Sequence, residues 1–195
     1  MRELILGGQK SGKSRRAEER ARAWLSQSTS HQAVLIATGL AHDEEMQGRI
    51  ARHQADRLIR LPALRCVEEP REIASALLAH SNAQTLVVVD CITMWLTNLL
   101  MPVFNGLLEE KGELAGINTA QSAMDLIVSL PSDLSAATGP VVLVSNEIGL
   151  GVIPLGREVR QFVDELGKLN QALAAQCERV TLMAAGCALA IKESS

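Results

Sequence analysis

The chain has 195 residues, 47% of them hydrophobic and 21% charged, with a formal net charge of -3. That length suits one domain over residues 1–195 with its own core, and the composition excludes a disordered chain. Aromatic residues make up 2%, with no Tyr; base-stacking platforms and a basic surface are both missing, so the balance favours a small-molecule ligand over nucleic acid.

In chain order, Met1 to Leu6 runs straight into a glycine loop and leaves no room for the apolar segment of a signal peptide. Apolar stretches stay far short of the ~20 residues that span a bilayer, so the reading is a cytoplasmic protein with no membrane span. Strands are predicted at Glu3–Leu6, Ala33–Thr38, Leu64–Glu68, Thr85–Asp90, Val141–Ser145 and Arg179–Ala185, with a short last one at Ala188–Lys192. Helices are predicted at Lys13–Ser26, Asp43–Arg60, Pro70–Ala79, Thr93–Met101, Thr119–Leu130 and Leu155–Cys177. Each strand but the last feeds a helix. Runs such as Leu86-Val87-Val88-Val89 are apolar without alternation, as in strands covered on both faces. The expectation is a three-layer α/β fold of the P-loop NTPase, RecA-like type: a mostly parallel sheet flanked by helices. Pro102 to Ile117, with its glycines and weak periodicity, reads as a mobile connection, and Ser194 and Ser195 as frayed. Cys66, Cys91, Cys177 and Cys187 form no C-x-x-C pair and read as small core residues. His31, His42 and His80 read as surface residues outside any mechanism.

Gly7-Gly8-Gln9-Lys10-Ser11-Gly12-Lys13-Ser14 lies between a strand and a helix. In that context Gly7 and Gly12 let the backbone wrap phosphate oxygens, and the helix N-terminus aims its N–H groups at them. Lys13 then reaches the terminal phosphates and Ser14 ligates magnesium. Asp90 ends an apolar strand and fits two roles, an acidic magnesium-orienting group or the N-cap of the next helix. No N-K-x-D guanine tetrad is present, which argues against a switch GTPase; the loop alone leaves kinase, ATPase and nucleotidyltransferase open.

On the Asp43–Arg60 helix, spacing puts Met46, Arg49, Ile50, His53 and Arg57 on one stripe. Its mixture of apolar and cationic groups suits an anionic ligand pocket or a subunit contact. Spacing leaves His53 open between a surface or interface histidine and a functional one.

Taken together, the Gly7–Ser14 loop, Ile36-Ala37-Thr38, Asp43-Glu44-Glu45-Met46 with Arg49-Ile50 and His53, Val67-Glu68-Glu69-Pro70, Asp90-Cys91-Ile92-Thr93 with Thr97-Asn98-Leu99, and Ser145 through Pro154 form an ordered set. In this the chain resembles the bifunctional adenosylcobinamide kinase/adenosylcobinamide-phosphate guanylyltransferases of cobalamin biosynthesis. The resemblance implies phosphorylation of adenosylcobinamide by ATP or GTP, then transfer of GMP from GTP through a guanylylated His53 to give adenosyl-GDP-cobinamide. It implies nucleotide contacts from Gly7, Gly8, Gln9, Lys10, Ser11, Gly12, Lys13 and Ser14, from Thr38, Gly39 and Leu40, from Gln54, Ala55, Asp56 and Arg57, and from Glu68 and Asp90. His53 and Lys13 are the catalytic pair it implies, with Mg2+ on Ser14 and Asp90, a corrinoid as substrate and a homotrimer as the assembly. Asn146 and Glu147 are weaker site candidates. Two other readings are a P-loop small-molecule kinase without GMP transfer and a nucleotide-binding regulatory subunit that does not turn over.

Overall fold

The computed structural model describes residues 1–40, 44–101 and 119–193. The Pro102–Ile117 connection, His42, Asp43, Ser194 and Ser195 lie in whole or in part outside that range. Seven strands form one sheet: β1 (Arg2–Gly7), β2 (Gln32–Ala37), β3 (Leu64–Glu68), β4 (Thr85–Asp90), β5 (Val141–Val144), β6 (Arg179–Ala184) and β7 (Cys187–Glu193), in the order β3-β2-β4-β5-β1-β6-β7. All pairings are parallel except β6 with β7. The helices are α1 (Lys13–Leu25), α2 (Glu44–Arg60), α3 (Ile73–His80), α4 (Ile92–Leu100), α5 (Thr119–Ala136) and α6 (Arg157–Gln176).

Period-two alternation divides the strand residues between two cores. Leu4, Ile36, Val87, Val89 and Leu143 pack under α3 to α6, whereas Ile5, Leu35, Val88, Val142 and Val144 pack with Ala17 and Ala21 of α1. This covering of both faces is why the strands carry continuous apolar runs. Glu3, fully buried in β1, is held by Arg20 at 2.6 Å, by the Thr181 hydroxyl at 2.8 Å and by Arg179 at 3.9 Å. Those partners offset the desolvation of a carboxylate inside the sheet.

Several element boundaries depart from the predicted ones. Helix α5 passes through Pro131 to Ala136 instead of ending at Leu130, because buried Leu134 extends the stripe of Ala123, Ile127 and Leu130. Helix α3 starts at Ile73, not Pro70; the Glu69 carboxylate instead accepts from the N–H groups of Arg71 and Glu72, both at 2.9 Å. Strand β2 lies between β3 and β4, so the strands ending in Glu68 and Asp90 both border β2 and are not neighbours. Cys66 and Cys187 are exposed, contrary to the core reading, since Cys66 lies on edge strand β3 and Cys187 on edge strand β7.

Candidate nucleotide site

The carboxyl ends of the parallel strands set out the candidate groups in one row. Register pairs Glu68 with Ala37, Ala37 with Asp90, and Asp90 with Val144. With ~4.8 Å between strands, Glu68 and Asp90 stand about 10 Å apart across β2. Strand β5 separates β1 from β4, so the glycine loop and Asp90 face each other across one intervening strand end.

The loop has the backbone its glycines allow. Gly7 has φ 154° and Gly12 φ 101°, and Lys10 is left-handed at φ 54°. At Gly7 a Cβ would lie 2.5 Å from the Met183 carbonyl oxygen and 2.6 Å from Ser11 Oγ, so the requirement for glycine is steric. Gly12 is the N-cap of α1, no side chain caps that helix, and its first turn carries no acidic residue. The positive end of the helix dipole is therefore directed at the loop. The Lys13 ammonium donates to the Gly8 carbonyl at 2.7 Å. Burial pushes the Lys13 amine below the usual lysine range, while Cys91 and Asp90 hold it up.

A residue that sequence reasoning missed braces the loop from the far side. Ala185 (φ 50°) and Gly186 (φ 80°) form the two-residue turn between β6 and β7, and the Gly186 N–H donates to the Ser11 carbonyl at 3.0 Å. The legible signal was Gly186 between two apolar runs; Ala185 at positive φ departs from the Asn-Gly or Asp-Gly pair that such turns favour.

Asp90 is not the cap of α4. That position belongs to Cys91, whose Sγ accepts from the Met94 N–H at 3.4 Å. Burial raises the Asp90 carboxyl above its ordinary range, and a hydrogen bond from Ser14 and the charges of Arg57, His53 and Lys13 pull it down. The loop serine thus bonds this carboxylate, and the loop lysine and two residues of α2 act on it only through their charge.

The sheet-facing stripe of α2 is half-buried Met46, Ile50, Gln54 and Arg57, followed by buried Leu61. His53 stands beside that stripe and is exposed, so the predicted stripe is rotated from the observed one; the Arg49 side chain lies outside what is described. Gln54 donates to Glu68 at 3.1 Å, and Arg57 donates to the His53 carbonyl at 3.4 Å. Ala55 and Asp56 are exposed, and Asp56 lies 3.8 Å from Arg60 on its own helix.

Thr38 is fully buried and its hydroxyl is engaged within the fold, donating to the Cys91 carbonyl at 2.7 Å and accepting from the Cys91 N–H at 2.9 Å. Gly39 and Leu40 follow it half-buried, and Ile50 packs 3.7 Å from the Cβ position of Gly39. Asn98, also fully buried, donates to the carbonyls of Thr38 at 2.8 Å and Pro70 at 3.0 Å, joining the ends of β2 and β3. After β5, the Asn146 N–H donates to Thr93 Oγ1 at 2.8 Å and the Glu147 N–H to the Gly7 carbonyl at 3.1 Å. Asn146 and Glu147 therefore tie β5 to α4 and to the loop through their backbone.

The family model described as cobinamide kinase / cobinamide phosphate guanyltransferase matches residues 3–191. The chain is 42% identical over 193 residues to the bifunctional adenosylcobalamin biosynthesis protein CobP of Pseudomonas aeruginosa, covering 98% of each chain. It is 34% identical over 189 residues to CobU of Escherichia coli, covering 97% of this chain and 98% of that one. Among solved structures, the assembled ATPase EscN of the enteropathogenic E. coli type III secretion system superposes with a TM-score of 0.54 at 12% identity, over 94% of this chain and 43% of that one, a likeness of fold alone. With a full-length family match and relatives at these identities, the chain belongs to the cobinamide kinase / cobinamide phosphate guanyltransferase family.

Proposed function

We propose that His53 is the nucleophile of GMP transfer and that the Gly7–Ser14 loop with Lys13 binds the triphosphate in both reactions. Family membership makes the chain a bifunctional kinase and guanylyltransferase of adenosylcobalamin biosynthesis that uses nucleotide and corrinoid substrates. The observation carrying the residue assignment is the Gln54–Glu68 hydrogen bond of 3.1 Å, which ties α2, one residue from His53, to the carboxyl edge of the sheet where the Gly7–Ser14 loop and Asp90 also stand. The imidazole is also exposed, so a ligand can reach it.

In the kinase step, the loop N–H groups and Lys13 neutralise the phosphates while the aminopropanol hydroxyl of adenosylcobinamide attacks the terminal phosphorus; the bond from that phosphorus to the bridging oxygen breaks, the nucleoside diphosphate leaves and the hydroxyl proton passes to water. In the second step an imidazole nitrogen forms a bond to the α-phosphorus of GTP. The bond from that phosphorus to the bridging oxygen breaks, and pyrophosphate leaves. The phosphate of adenosylcobinamide phosphate then attacks the same phosphorus, and the P–N bond returns its electrons to the ring. A neutral imidazole is a competent nucleophile near pH 7, and the covalent intermediate divides one displacement into two. Arg57, one turn from His53, neutralises charge as it develops on the phosphates. Gln54, Ala55, Asp56, Glu68 and the Thr38–Leu40 segment complete the nucleotide site.

The residues present fit a magnesium ion carried in on the nucleotide. The Ser14 hydroxyl and Asp90 carboxylate are hydrogen-bonded oxygen donors at the loop, and Mg2+ commonly takes one or two protein oxygens with the rest from phosphate and water. When bound it neutralises phosphate charge. Ser14 and Asp90 would hold it beside the loop.

The assembly belonging with this reading is a cytoplasmic homotrimer. Supporting self-association is an exposed apolar run after β5, in which Leu150, Val152, Ile153 and Leu155 are 77–97% exposed. No helix among the described residues is long and apolar enough to cross a membrane.

Incubation with α-labelled GTP and magnesium tests the nucleophile. The expected result is acid-labile, base-stable label on the wild-type chain and none on His53→Ala. Label retained by that variant removes His53 from the mechanism.

A further inference from the structure

Helix α2 is attached to α1, the helix that begins at the Gly7–Ser14 loop, through a two-pronged contact. Arg60 Nε donates to Glu18 Oε2 at 2.7 Å and Arg60 Nη2 to Glu18 Oε1 at 3.0 Å. The Arg22 guanidinium donates to the Arg60 carbonyl at 2.8 Å, closing the C-terminal end of α2 onto the same helix. Glu18 is only 7% exposed while the Arg60 side chain is 38% exposed, so the pair is shielded from water on the carboxylate side only, and it is the paired bonds that fix orientation as well as distance. Asp56, 3.8 Å from Arg60, is the remaining carboxylate at this contact among the described residues.

The spacing on each helix gives the contact its meaning. His53 and Arg60 are seven residues apart, which is two turns to within about 20°, so both project from one face of α2 about 10 Å apart along it. Ser14 and Glu18 are four residues apart on α1 and also share a face, about 6 Å apart. Strands β1 and β2 run parallel in the sheet, and α1 and α2 both start from its carboxyl edge. Measured back from the Glu18–Arg60 contact, His53 therefore comes level with the phosphate loop. A different roll of α2 would carry Arg60 and His53 away together.

We infer that the Glu18–Arg60 pair is a positioning device for GMP transfer: it sets the roll and height of α2 on the phosphate-loop helix so that His53 addresses the α-phosphorus of a triphosphate held by the loop. The inference rests on His53 being the nucleophile. On this reading neither residue needs to touch the nucleotide, and the kinase step, which does not use His53, is independent of the pair.

The test uses the full-length chain with two assays: labelling of His53 by α-labelled GTP, and ATP-dependent phosphorylation of adenosylcobinamide. A misplacement of about 1 Å costs on the order of 100-fold in a positioned reaction. Arg60→Ala is therefore expected to slow labelling at saturating GTP by about tenfold or more. The GTP concentration for half-maximal labelling and the rate of the kinase step should both hold within about twofold. Arg60→Lys, which keeps the charge without the planar fork, should fall between Arg60→Ala and wild type. Exchanging the partners, Glu18→Arg with Arg60→Glu, should recover part of the rate lost by either single change. Labelling and kinase rates that fall in parallel in both Arg60 variants would show a role in folding alone and overturn the inference, as would labelling at the wild-type rate in Arg60→Ala. Label that persists in His53→Ala defeats the underlying assignment, whereas label confined to His53 but insensitive to Arg60 defeats only the positioning role.

Discussion

The Lys13 ammonium and the Gly8 carbonyl oxygen lie 2.7 Å apart, so the phosphate loop is closed on its own cation. On the proposed reading a terminal phosphate would compete for that amine, and desolvation by burial, which lowers the pKa of Lys13, makes an anionic partner more valuable there than at the surface. Lys13→Ala is expected to lower the rate of phosphoryl transfer to adenosylcobinamide by about 100-fold or more, the scale of losing one transition-state donor. Circular dichroism should be unchanged. Wild-type turnover in the variant would assign the chemistry to another nucleotide site.

At Gly7 a methyl group meets the Met183 carbonyl oxygen at 2.5 Å, and backbone cannot yield as a flexible side chain does. Gly7→Ala should therefore displace the loop and abolish nucleotide binding. A ligand present at 100 times its Kd stabilises a fold by about 2.7 kcal/mol. Thermal melts with and without GTP are the check: the wild-type Tm should rise and that of Gly7→Ala should not.

The four cysteines divide by environment. Burial pushes the thiols of Cys91 and Cys177 up to about 12, so at pH 8 both stay protonated and unreactive, becoming nucleophilic only as pH climbs toward that value. Cys66 and Cys187 are exposed. Peptide mapping after brief iodoacetamide treatment at pH 8 should find label on Cys66 and Cys187 and almost none on Cys91 or Cys177. Equal labelling of all four would contradict the packing described around α4 and α6.

Val152 and Leu155 are 95% and 97% exposed. If copies of the chain cover this run, Val152→Asp combined with Leu155→Asp buries charge in the contact and should dissociate the assembly. Light scattering should give three times the chain mass of 21.0 kDa for the wild type and one chain mass for the variant. Identical masses would place the subunit contact elsewhere.

Signals that act over a few residues were legible in the order of the amino acids. The glycines of the phosphate loop, the apolar runs of β2, β4 and β5, and the helical spacing of α1, α2 and α6 each follow from backbone sterics or a short periodicity. The resemblance, carried by an ordered set of short motifs, implied His53, Glu68 and Asp90 as residues of one site. Their relative placement was not legible. Nothing in the segment up to Glu68 says that β2 separates it from Asp90, because strand order is set by how the whole sheet buries its two faces. Likewise Arg60 reads as one more charge at a helix end until α1 brings Glu18 to it. Periodicity gave the stripe of α2 only to within a rotation, and that angle comes from contacts made by Gly39, Glu18 and Glu68, residues distant in the chain. Local propensity supplied the elements and the loop chemistry; long-range packing decided which side chains share a site, since contacts across the sheet have no signature in any one stretch of sequence.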